Sequence, residues 1–207
     1  MSTPVASRRA RYAAASALVL AVGGGLAACG TASGSPAPDL TVRSTATAQA
    51  ANAAQPLERS VPTGLRIPAI GVDAKSMLDL AVDPKTRELG VPPVDRANEP
   101  GWWADGPAPG EKGVAIVVAH YDTANGPALM KDVGRLKVGD MVEVPREDGS
   151  TARFKVYEIK QLNKGKVPDE TYTEAKKPAE LRILTCGGQI KDGHRTDNVI
   201  VSADLVP

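Results

Sequence analysis

The sequence predicts an all-β domain, a barrel or sandwich, on three observations. Short strand-like runs recur along residues 61–207, Gly and Pro punctuate them, and convincing amphipathic helices are few. Residues 65–74 alternate apolar and polar positions, the period of a half-buried strand. Pro68 lacks the N–H that a ladder needs, so this strand belongs at an edge or carries a bulge. Residues 113–120 form a continuous apolar run of strand length, expected to be buried on both faces. Gly126-Pro127 opens residues 128–136, long enough for one or two helical turns. Strands at 141–144 and 151–159 flank Asp148-Gly149, a hairpin signal. Residues 181–185 and 198–203 supply the last two strands.

The N-terminus reads differently. Arg8, Arg9 and Arg11 precede an uncharged, Ala- and Leu-rich stretch from Tyr12 to Ala28, the order of a secretory signal. It is a little short for a membrane span, which needs about 20 residues. Small residues before Cys29 resemble the bacterial lipobox, in which the cysteine sulfur receives diacylglycerol and becomes the new N-terminus. The alternative is an uncleaved signal anchor with Cys29 a bystander; both readings put the rest of the chain outside the membrane. Ala, Ser, Thr, Pro, Gly and Gln dominate the following stretch, which has too little apolar surface to offset its ordering entropy. The expected organisation is a signal peptide at 1–28, a flexible tether at 29–60 and one domain at 61–207.

Composition narrows the function. The net charge is +1, aromatics make up 3% of the chain and the domain has no basic run, so nucleic-acid binding is not indicated. Of the two cysteines only Cys186 lies in the domain, which must hold together without disulfides. Metal binding fits poorly, because two histidines, one thiol and Asp122 make no zinc spacing. Phosphate-binding glycine loops and a Gly-x-Ser-x-Gly elbow are both absent.

Cys186 is what stands out. It ends the apolar run 180–185, is followed by Gly187-Gly188, and is a candidate nucleophile if a base can take its proton. His120 closes the buried run, where a strand end can present a side chain at a barrel rim. His194 lies in the polar stretch before the last strand. Each alone could be an ordinary core or surface histidine; paired with an isolated thiol, they become base candidates. Arg195, just before the last strand, could donate hydrogen bonds to a carbonyl turning into an oxyanion, or could be a solvated arginine paired with Asp192 or Asp197. Arg182 is the competing arginine.

These residues resemble a sortase, and specifically the actinobacterial class E/F-like sortases. The resemblance rests on motifs in the right order across 65–203. They are Leu65-Arg-Ile-Pro-Ala-Ile-Gly-Val72, Pro100-Gly-Trp-Trp103, Pro109-Gly-Glu-Lys-Gly113, Ala119-His-Tyr-Asp-Thr123, Leu136-Lys-Val-Gly-Asp140, Thr185-Cys-Gly-Gly188 and Asp197-Asn-Val-Ile-Val201. It implies an eight-stranded sortase-type β-barrel with short helices, and a cysteine transpeptidase in which Cys186 is the nucleophile, His120 the acid/base and Arg195 the oxyanion or substrate-orienting group. The implied substrate is a surface protein with a C-terminal LPXTG-like signal, and the acceptor is an amine of a cell-wall precursor. Residues 163–178 sit where the family builds part of its signal-binding groove. No cofactor or metal is implied. The enzyme is expected on the extracytoplasmic face of the cell membrane, held by its N-terminus.

Rival readings are a thiol peptidase that passes the acyl group to water and a non-catalytic lipoprotein binding peptide or wall polymer. With ordinary Cys and His pKa values the thiolate–imidazolium form is only about 1% of the enzyme near neutrality. The sequence points to this slow, reverse-protonated version, since no lysine adjoins Cys186.

Overall fold

A computed structural model of the chain describes residues 43–44, 54–166 and 170–207. The signal segment and Cys29 lie outside these residues. Residues 65–74, expected as one strand, form a hairpin instead: β2 (Leu65–Ile67) and β3 (Val72–Ala74) are joined by a 3-10 turn at Pro68–Ile70. Pro68 is the cause. It cannot extend the ladder, and Gly71, in the left-handed region at φ 70°, reverses the chain. The hairpin register, Leu65↔Ala74 and Ile67↔Val72, keeps the apolar positions on one face.

The predicted hairpin at Asp148-Gly149 is present. Strand β9 (Met141–Pro145) pairs antiparallel with β10 (Thr151–Asn163), Asp148 Oδ1 accepts from the Ser150 amide at 2.9 Å, and Gly149 takes φ 82°. A short β1 (Arg43–Ser44) adds to β10. Leu57 also packs on the core, with its amide bonded to Gly110 O at 2.8 Å. Arg59 donates to Ala104 O, Gly106 O and Glu111. These parts of the stretch expected as a tether are therefore fixed to the domain. Leu57 is one of the few large apolar side chains in this stretch, and it packs on the core.

The remaining strands are β4 (Leu78–Leu80), β5 (Gly101–Trp103), β6 (Gly113–Val118), the small pair β7 (Asp122–Thr123) and β8 (Gly126–Pro127), β11 (Ala179–Lys191) and β12 (His194–Val206). The main sheet runs β3-β2-β9-β10-β12-β11-β6-β5-β4, and it curls around one apolar core. The expected count of eight becomes twelve among the described residues, because ladders as short as two residues stand beside the long ones. Residues 128–136 form turns and a 3-10 turn at Val133–Arg135 in place of a helix. The one α-helix among the described residues is α1 (Glu170–Thr173).

Two features set the site. Strands β11 and β12, 13 residues each, form a hairpin far longer than the runs 181–185 and 198–203 suggest, so Arg195 and His194 lie within a strand. Strand β6 lies parallel to β11, from Ala179↔Gly113 to Leu184↔Val118. The odd-numbered Ala115, Val117, Leu181, Ile183, Val199, Val201 and Ala203 from these strands all enter the core. Each fully buried Leu, Ile or Val stabilises by roughly 1.5–3 kcal/mol, several times an exposed ion pair at about 0.2–1 kcal/mol. Apolar burial therefore fixes these strands, and alternation sends their even-numbered residues to the opposite face.

On that outer face lies a polar cluster. Glu180 and Arg182 are both buried and paired at 2.5 Å. Glu180 also accepts from Tyr157 Oη at 2.9 Å and from the amides of Lys176 and Lys177, while Arg182 donates to Glu174 O at 3.2 Å. Arg182 is thus committed to fastening the foot of the β10–β11 connection. Burial raises the Tyr157 pKa. Burial, reinforced by nearby Glu180, also raises that of Asp204, against the pull of Lys177, Arg182 and Lys176.

The Asp204 shift carries a sign. A carboxyl with a raised folded-state pKa binds its proton more tightly when folded, so stability falls as pH rises through that value. Asp204→Asn should therefore raise the urea midpoint near neutral pH and lose that advantage near pH ~3, where the aspartate is protonated in both states. Paired denaturation curves at the two pH values check this; an asparagine variant weaker at neutral pH contradicts it.

Candidate active site

His120 follows β6 by two residues, and the Ala119 amide still reaches Leu184 O at 3.0 Å, which prolongs the parallel ladder. Counting on from Val118↔Leu184 places His120 beside Cys186, both at even positions on the face away from the core. The ladder thus leads the backbones of the sequence-distant His120 and Cys186 toward each other. Cys186 is partly buried and is the free cysteine among the described residues.

His120 Nε2 lies 2.7 Å from the Pro92 carbonyl oxygen. A carbonyl oxygen only accepts, so Nε2 carries the hydrogen and Nδ1 is left to take up and release a proton. Pro92 belongs to the β4–β5 connection, which no local pattern in the sequence joins to His120. His194 is exposed near the tip of the β11–β12 hairpin, paired with Lys191.

Arg195 pairs with neither Asp192 nor Asp197. Its Nε donates to both Asp122 carboxylate oxygens at 3.0 Å, its Nη2 to Asp122 Oδ2 at 2.6 Å, and its Nη1 to Gly188 O at 2.7 Å. The guanidinium also lies over the Tyr121 ring at 4.4 Å. Among the described residues, one hydrogen on each terminal nitrogen has no partner. The pKa of Arg195 is raised, first by the Asp122 hydrogen bonds, against the penalty of burial, and further by the charges of Asp122, Tyr121 and Cys186.

Gly188 makes this geometry available. It sits at a register shift of the hairpin with φ 73°, and a Cβ there would stand 2.6 Å from both Asp197 Oδ2 and Thr196 Oγ1. The left-handed bulge turns its carbonyl toward Arg195, a reason for glycine immediately after the Cys186-Gly187 pair. Sequence reasoning does not find Asp122 as the partner of Arg195, although its place two residues after His120 is a usable signal.

No lysine adjoins the thiol along the chain, but one does in space. Lys164, in the 3-10 turn Lys164–Lys166 after β10, donates from Nζ to Cys186 Sγ at 3.5 Å. The contact follows from register: Leu162↔Asn198 and Cys186↔Asn198 lie in one row across β10, β12 and β11. The reverse-protonated expectation rested on the absence of a lysine adjacent in sequence; in space Lys164 lies at the sulfur.

Residues 65–206 match the family model of the sortase domain. The chain belongs to the sortase family. It is a cysteine transpeptidase by that membership, which agrees with the β-barrel fold and the free thiol of Cys186. Among solved structures, the Clostridium perfringens sortase D5 transpeptidase superposes with a TM-score of 0.51 at 18% identity, over 72% of this chain and 79% of its own. A lid mutant of sortase A from Corynebacterium diphtheriae gives 0.54 at 16%, over 73% of each. Sortase C-1 from Actinomyces oris gives 0.53 at 16%, over 70% of this chain and 73% of its own. No curated protein sequence matches significantly. Relatives of several sortase classes match at similar identity, so membership holds for the family and not for a class.

Proposed function

We propose that this sortase cleaves a C-terminal LPXTG-like sorting signal and transfers the acyl fragment to an amine of a cell-wall precursor, anchoring surface proteins to the wall. What supports the reading is the β6–β11 register, which continued two residues past Val118↔Leu184 brings His120 level with Cys186, together with the Arg195 guanidinium held by Asp122 and Gly188. The Cys186 sulfur attacks the Thr–Gly carbonyl carbon and the C–N bond breaks. His120, with Nε2 held by Pro92 O, delivers its Nδ1 proton to the leaving amine. The free hydrogens of Arg195 point charge-assisted donors at the developing oxyanion, while Asp122 and Gly188 fix their direction. An incoming amine then attacks the thioester, gives its proton to His120, and releases the sulfur. The enzyme works at the extracytoplasmic face of the membrane, held by a lipid on Cys29 or by the uncleaved N-terminal segment.

The product identifies the acceptor. Incubation of the full chain with a sorting peptide and a glycine-based amine should yield the peptide–amine amide as the main product. Free carboxylic acid alone, at any amine concentration, overturns the transfer reading in favour of a thiol peptidase.

A further inference from the structure

We propose that Lys164 is a further catalytic residue, whose ammonium compensates the negative charge on the Cys186 sulfur when it attacks and when it leaves. The proposal rests on Cys186 being the nucleophile. Lys164 Nζ is 3.5 Å from Sγ, in contact with the reacting atom itself. Its turn is pinned in place. Asn163 pairs in register with Asp197 on β12, donates to Thr196 O at 3.3 Å, and accepts from the Gly165 amide at 3.2 Å.

Charge balance singles this lysine out. Arg195 is already matched by the two-oxygen contact with Asp122, which leaves that pair close to neutral. Lys164 makes no ion pair with a carboxylate among the described residues and so brings a net positive charge to the sulfur. Thiolate, not thiol, is the attacking and departing form, and a cation in contact favours it. In the second half of the reaction the sulfur leaves as an anion, so the same charge assists both bond making and bond breaking.

A probe that reads charge at the sulfur separates this role from a structural one. Alkylation of Cys186 in the full chain by anionic iodoacetate and by neutral iodoacetamide, followed by peptide mapping to exclude Cys29, gives a rate ratio. In Lys164→Gln this ratio should fall several-fold, and kcat/KM for amide formation should fall roughly fivefold, the scale of a solvent-accessible charge pair. Lys164→Arg should restore most of both. An unchanged ratio in Lys164→Gln, with transfer still abolished by Cys186→Ala, overturns the role of Lys164 alone. Transfer that persists in Cys186→Ala overturns the nucleophile assignment and this proposal with it.

Discussion

Cys186→Ala gives a folded protein that neither transfers nor hydrolyses a sorting peptide. Both losses come together because both reactions pass through the same thioester, and alanine offers no atom to carry it. Stability should change little. The side chain sits partly exposed at even register, on the face away from the core, and such positions usually move stability by about 0.5 kcal/mol or less. Serine at this position should be nearly as inactive, since its hydroxyl is much harder to ionise than a thiol. Thermal unfolding beside product assays by mass spectrometry checks both halves. Cleavage that survives in a folded Cys186→Ala protein means another nucleophile does the work.

His120→Ala lowers kcat/KM by roughly 10²–10⁴, the usual contribution of a positioned general acid/base, whereas His194→Ala changes it by less than about twofold. The two histidines differ by position. His120 stands just past the end of the β6–β11 ladder, on the way to Cys186, and is held by the Pro92 carbonyl, while His194 sits exposed near the hairpin tip. The loss should also depend on the leaving group. A sorting peptide with an ester in place of the Thr–Gly amide expels a group that needs less protonation, so the penalty of His120→Ala should shrink in acylation. Equal losses for both histidines, or a penalty indifferent to the leaving group, contradict the acid role of His120.

How much of this is legible in the sequence follows from the range of the contacts. Apolar alternation marks β9, β10 and the cores of β11 and β12, and Asp148-Gly149 marks the turn between the first two, because these signals are local. The same pattern cannot show where β11 and β12 end. Their distal halves are mostly polar and are held by cross-strand pairing and by long-range side-chain contacts such as Arg195 with Asp122, so Arg195 reads as a loop residue. Pro68 is a visible misfit for a central strand, but one local rule cannot say whether it bends, caps or reverses the chain. The thiol and the imidazole are legible as isolated reactive groups, and the family resemblance joins them. Lys164 and Pro92 are not. Each reaches the site from a connection between strands, Lys164 across 22 residues and Pro92 across 28, and nothing periodic marks such contacts. Asp122 falls between: two residues after His120 it is visible, yet only the hairpin bulge at Gly188 brings Arg195 to it.

The central claim is that the chain works through a covalent thioester on Cys186, and mass spectrometry of the trapped acyl-enzyme tests it most directly. Full-length protein mixed with sorting peptides, quenched in acid and digested, should carry the peptide fragment up to Thr on Cys186. Addition of an amine acceptor before the quench should remove it, with amide product appearing in its place. Product formation with an unmodified Cys186 at every time point, or an acyl group found on a different residue, would contradict the account.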